Sequence, residues 1–118
     1  MNHLASMWDL RQDQGVIVIH RSQQAPVSVL HPESPWVNLD RLLGDSPKET
    51  YLIDFSSERY LTSEALGILV NLVRRVQQAG GRLVIAGPTA PVLGVLESTR
   101  LSRLVTVAPD MATARTIV

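Results

Sequence analysis

The sequence predicts an α/β domain with a mixed sheet: an antiparallel hairpin in front, parallel strand–helix units after it, and helices packed mainly on one face. Three observations carry this. Short apolar, β-branched runs recur at residues 16–19, 51–56, 83–86 and 104–107, as buried strands do. A longer stretch, 63–79, spaces its apolar residues at the helical period. Strands alternating with helices in so short a chain imply crossovers and parallel pairing.

The elements follow in order. Residues 1–7 are expected to be a flexible terminus. Residues 8–12 are a candidate strand, Asp13, Gln14 and Gly15 a turn, and 16–19 the second strand of a hairpin. Residues 21–35 are interrupted by Pro26, Pro32 and Pro35, which deny ladder donors and break helices, with room for a short strand at 27–30. A short helix is expected over 37–43, closed by Gly44, Asp45, Ser46 and Pro47. Residues 51–56 form a central buried strand and 57–62 a loop. In the helix over 63–79, Ala65, Leu66, Ile68, Leu69, Leu72, Val73, Val76 and Ala79 share one arc, while Gly67, Asn71, Arg74, Arg75 and Gln78 share the other. Gly80 and Gly81 end it. The strand at 83–86 stops at Gly87 and Pro88. Thr89 is placed to cap a third helix with Pro91 in its first turn and Val92, Leu93 and Leu96 on its apolar side. A strand at 104–107 follows, and Asp110 caps a last helix from Met111 to about Ile117.

Composition narrows function. The 118 residues suit one domain, 1–118, and 45% hydrophobic content supplies its core. Eleven basic and eleven acidic residues leave a net charge of +0, against a nucleic-acid or anionic-membrane surface. The absence of Cys removes disulfides, thiol catalysis and thiolate metal sites, and fits a reducing compartment. Aromatic residues at 4% argue against base-stacking platforms and aromatic ligand cages. The start does not read as a secretion signal, and no apolar run reaches the roughly 20 residues that span a bilayer. The expectation is a soluble, cytoplasmic protein without membrane insertion. His3, His20 and His31 share no spacing that would gather a metal, so they are expected to be solvated or loop histidines.

Catalytic patterns are missing as well. There is no phosphate-binding glycine loop and no nucleophile elbow. Asp40 and Asp54 show no partner in sequence, and Asp54 is expected to hydrogen-bond to a nearby loop, since buried carboxylates persist only when satisfied. No nucleophile–base–orienter set emerges, so neither an enzyme nor a cofactor is expected. The informative segment is 60–67, Tyr-Leu-Thr-Ser-Glu-Ala-Leu-Gly. It joins a central strand to a helix, at the sheet edge where ligands and partners dock in parallel folds. Free N–H groups and the dipole there favour negative charge, and one phosphoryl group adds about −1.5 to −2 charges. A purely structural role also suits it, with Thr62 and Ser63 capping and Glu64 complementing the dipole.

Residues 51–118 resemble the STAS domain of bacterial anti-sigma factor antagonists. The resemblance rests on Leu52-Ile53-Asp54-Phe55-Ser56, the run from Tyr60 to Val70, the run from Gln78 to Pro88, and Val95-Leu96-Glu97-Ser98-Thr99-Arg100-Leu101. It implies a STAS-like fold and a binding partner of the anti-sigma factor, serine-kinase type. The usual junction of that family reads Asp-Ser-Ser-Gly-Leu-Gly, and its first Ser is phosphorylated by the partner kinase. By position that acceptor is Ser63. The resemblance implies that the unmodified antagonist binds the kinase and frees a sigma factor, and that phosphorylation breaks the complex: signalling in transcription regulation by a phosphoprotein. Here Thr62 stands for the Asp, Glu64 for the second Ser and Ala65 for the Gly. Glu64 can discourage modification by repulsion or imitate it weakly, one charge against nearly two. In front, residues 21–26 replace the common Gly-x-Leu-Asp segment.

The expected docking strip is Thr62, Ser63, Glu64, Gly67, Val70, Asn71 and Arg74, with Val70 as an exposed apolar contact whose replacement by Arg leaves folding nearly intact. Two other readings stay open: a STAS scaffold or accessory protein that never cycles, favoured by the altered junction, and a small-molecule or nucleotide site in the same crevice, disfavoured by the missing glycine loop. A homodimer is left open.

Overall fold

The computed structural model describes residues 7–22 and 35–118. The strand expected at 27–30, residues 1–6 of the flexible terminus expected at 1–7, and His3, His31, Pro26 and Pro32 lie outside the described residues.

Five strands form one sheet in chain order, β1 (Trp8–Asp13), β2 (Val16–Arg21), β3 (Thr50–Asp54), β4 (Arg82–Ala86) and β5 (Thr106–Ala108). β1 and β2 are an antiparallel hairpin in the register Trp8↔Arg21 to Asp13↔Val16, turned by Gln14 and Gly15, both at positive φ. The remaining pairs are parallel, so the carboxyl ends of β2, β3 and β4 share one edge. Among the described residues there are four α-helices, α1 (Pro35–Leu43), α2 (Ser63–Gln78), α3 (Ala90–Ser98) and α4 (Met111–Ile117).

Side chains alternate across the sheet, and both faces are covered, which is why the central strands are apolar throughout. Tyr51, Ile53, Leu83 and Ile85 face a core closed by Trp36 and Leu39 of α1, Ala65, Leu69, Leu72, Val73 and Val76 of α2, and Val92 and Leu96 of α3. Val18, Leu52, Val84, Ala86 and Ala108 face the other side with Ala114 of α4. Three helices on one face and one on the other match the expected architecture. The few aromatics are concentrated: Trp8 meets Trp36 edge-on with centroids 5.1 Å apart, Trp36 meets Phe55 at 5.3 Å, and Trp8 Nε1 donates to Pro35 O at 2.7 Å. These contacts tie the hairpin to the start of α1.

Boundaries moved where local hydrogen bonding decided them. α1 opens two residues early, on Pro35, whose fixed φ and missing N–H suit a first turn. The last strand was expected at 104–107 but runs 106–108. Arg100 adopts φ 65, a 3₁₀ turn spans Leu101–Arg103, and the N–H groups of Leu104 and Val105 both donate to Leu101 O, so they are spent before the ladder begins. Asp110 caps α4 as expected, accepting from Thr113 N at 2.7 Å. Thr89 occupies the cap position of α3, yet its hydroxyl donates to Glu58 O at 3.0 Å, binding that helix to the loop after β3.

Candidate functional site

The junction after β3 is organised from its strand outward. Asp54 ends β3, and its Oδ1 accepts from Ser56 N at 2.9 Å, the loop bond expected of it. Its Oδ2 meets His20 Nδ1 of β2 at 3.2 Å. His20 is therefore a strand residue with a carboxylate partner rather than a loop histidine, and its side chain stays partly solvated, 44% exposed. Burial works to raise the Asp54 carboxyl, but the bonds from Ser56 and from His20 outweigh it and hold the group below its ordinary value. Asp40 also has a partner: it pairs with Arg75 of α2, which further donates to Gly44 O and so fastens α1 to α2. Arg75, expected on the outer arc, is half-buried for this reason.

Beyond Asp54 the chain turns through Ser57 to Leu61 and enters α2. Thr62 is the cap, extended at φ −73 and ψ 165, its Oγ1 accepting from Ala65 N at 3.0 Å. Ser63 and Glu64 form the exposed first turn, with Glu64 as the acidic residue favourable to the dipole. Among the described residues, no hydrogen bond occupies the N–H of Ser63 or of Glu64. A hydroxyl on the first helical residue, in solvent and beside free donors, can accept a phosphoryl group and hold its charge.

Of the expected strip, Thr62, Ser63, Glu64, Gly67, Asn71 and Arg74 are exposed. Val70 departs from expectation: it is half-buried and packs against the main core. The helical wheel places it at the border of the apolar arc, and the tertiary contacts decide the side.

Sequence reasoning missed the neighbouring cleft. An open depression of about 510 Å³ is lined by Arg21, Pro35, Trp36, Ser57, Glu58, Arg59, Tyr60, Thr62 and Glu64. Tyr60 is 69% exposed, and Glu58 is the buried charged residue of the described chain, at 8%. Burial pushes the Glu58 carboxyl up, the Arg21 charge opposes this, and the Asp54 charge adds to it. Arg21 lies over the Trp8 ring at 5.1 Å. The available signal was a Glu four residues past a strand end, which carries little information without knowledge of what surrounds it.

A family model described as "Mlab, STAS domain" matches residues 37–106, more than half of the chain. The chain belongs to the STAS domain family. A curated relative from Thermotoga maritima, described as a "putative anti-sigma factor antagonist", is 24% identical over 99 residues, 84% of this chain and 86% of the relative. The crystal structure of a protein so described from that organism superposes with TM-score 0.76 at 18% identity, covering 99% of this chain and 98% of the other. An NMR structure of the protein TM1081 gives 0.67 at 17% identity, over 93% of this chain and 86% of the other. The STAS fold expected from the resemblance is thus the fold observed. No described helix is long and apolar enough to cross a membrane, and the described residues hold no cluster of three or more His, Asp or Glu suited to a metal.

Proposed function

We propose that this STAS domain is a regulatory binding module that docks an anti-sigma factor of the serine-kinase type on the exposed start of α2, and that phosphorylation of Ser63 controls the docking. One observation carries the reading: Ser63 is exposed as the first residue of the longest helix, at the carboxyl edge of the central strand β3. The description of the Thermotoga relative as an anti-sigma factor antagonist supports the partner class. The module works by presenting a surface. Unmodified, Ser63, Glu64, Gly67, Asn71 and Arg74 offer small and polar contacts; phosphorylated, the same surface carries nearly two more negative charges and a bulky group that a partner fitted closely to the Ser63 hydroxyl does not accommodate. Such a protein acts in the cytoplasm, in transcription regulation, and needs no catalytic group or cofactor of its own.

The test is incubation with the cognate serine kinase and ATP, location of the phosphate by mass spectrometry, and capture of the partner by wild type, S63A and S63D. A phosphate on Ser63, with capture by S63A and none by S63D, supports the switch. A second reading is favoured by exposed Glu64 next to Ser63, a carboxylate that opposes further negative charge: a scaffold that never cycles. It predicts equal capture by all three proteins.

A further inference from the structure

The cleft beside the start of α2 holds an incomplete charge pair. Glu58 Oε2 lies 3.5 Å from Arg21 Nε, longer than a hydrogen bond, and neither Glu58 Oε2 nor Arg21 Nη1 has a hydrogen-bond partner. The Arg21 guanidinium also lies over the Trp8 ring, 5.1 Å from its centroid. A carboxylate can accept about four hydrogen bonds, and a buried one short of donors is costly to keep. Its backbone is nonetheless held in place: Glu58 N donates to Phe55 O at 3.0 Å and Glu58 O accepts from Thr89 Oγ1 at 3.0 Å. Glu58 is therefore fixed at the cleft with one buried carboxylate oxygen, Oε2, that faces Arg21 at ion-pair distance and receives no hydrogen bond.

The geometry points to a receptor for a basic side chain, a lysine or arginine of the docking partner, with Glu58 as counter-ion at the floor of the cleft and the Tyr60 ring at its mouth. This rests on the docking reading above and names what the partner brings to it. A cation supplies the donors that Glu58 lacks, and charge-assisted bonds out of water are the strong ones. The exposed Tyr60 ring offers a face for the cation or its aliphatic stem. Glu64 lines the cleft as a second carboxylate, and Arg59, which is exposed, lines it as well. Arg21 and Arg59 also line the cleft, so an anion is the competing occupant that the test must separate from a cation. The raised affinity of Glu58 for its proton fits a carboxyl awaiting a cation.

The probe is methylguanidinium, titrated into isotopically labelled full-length protein and followed by NMR, with n-butylammonium, inorganic phosphate and butyrate as comparison probes. Saturable shifts at Glu58, Tyr60 and Glu64 are expected with both cations and with neither anion. In E58Q, which keeps the side-chain shape, the dissociation constant for methylguanidinium is expected to rise at least about tenfold while the rest of the spectrum stays that of the folded protein. Absence of saturable shifts, equal binding by E58Q, or preferential binding of phosphate overturns the inference. Partner capture separates the two claims: if S63D abolishes capture and E58Q leaves it unchanged, the docking reading stands and the cation receptor fails.

Discussion

Gly81 tests how tightly the amino edge of the sheet is packed. A Cβ built there meets Pro47 O at 2.6 Å, Glu49 O at 2.7 Å and the Lys48 carbonyl carbon at 3.0 Å. These are backbone atoms, well inside the roughly 3.5 Å optimum for such contacts. In G81A the segment before β3 must withdraw by on the order of 1 Å, a displacement set against that same optimum. It cannot do so freely, because Arg82 N donates to Glu49 O at 3.0 Å and the β3–β4 register begins at Thr50↔Arg82. Overpacking costs about 1–3 kcal/mol and a weakened hydrogen bond about 1 kcal/mol. The sum, about 2–4 kcal/mol, corresponds to a fall in Tm of roughly 8–15 °C for a domain of this size. Gly80 is the control. Its φ is +85, but a Cβ there meets nothing within 4 Å, so G80A carries only the left-handed penalty of about 1–2 kcal/mol. Thermal and urea unfolding of both variants measure the order. If G81A is as stable as G80A or more so, the close approach of residues 47–49 is not the constraint described.

Three further outcomes follow from the same contacts. T62A removes the cap bond to Ala65 N and is expected to lower stability by about 1 kcal/mol, whereas T62D, which also caps, is expected to hold it; urea midpoints decide, and equal loss in both would contradict the cap. V70R places a charge on a residue packed against the core, so unlike a free surface change it should cost about 1–2 kcal/mol in chemical denaturation. Glu58 binds its proton more tightly folded than unfolded, so its ionised form weakens folding above its raised value, and that penalty fades as pH falls towards 4.5. Asp54 is held below 3.8, so its support is present above that value and is lost as pH falls through its lower folded value. The stability of E58Q relative to wild type should therefore be highest near neutral pH and decline on acidification; a difference constant from pH 7 to pH 3 would contradict the assignment.

What the chain determined by itself is the set of elements whose signal is local. Apolar runs marked β2, β3 and β4. Helical spacing marked α2 almost to the residue. Asp110 and Thr62 marked helix starts, because a cap acts within three residues of its own position. The family resemblance rested on such local strings as well, and it singled out Ser63, which helical spacing sets at the start of α2. Tertiary structure decided the rest, since those properties depend on residues far apart in sequence. Asp40 meets Arg75, Asp54 meets His20, and Thr89 leaves its own helix for Glu58 O, across separations of 35, 34 and 31 residues. Val70 was drawn against the core and the last strand was delayed by competing turn bonds. The cleft with Glu58 at its floor exists only because β2, α1 and the loop after β3 converge, and a single carboxylate acquires chemical meaning only from the solvent and donors that folding removes.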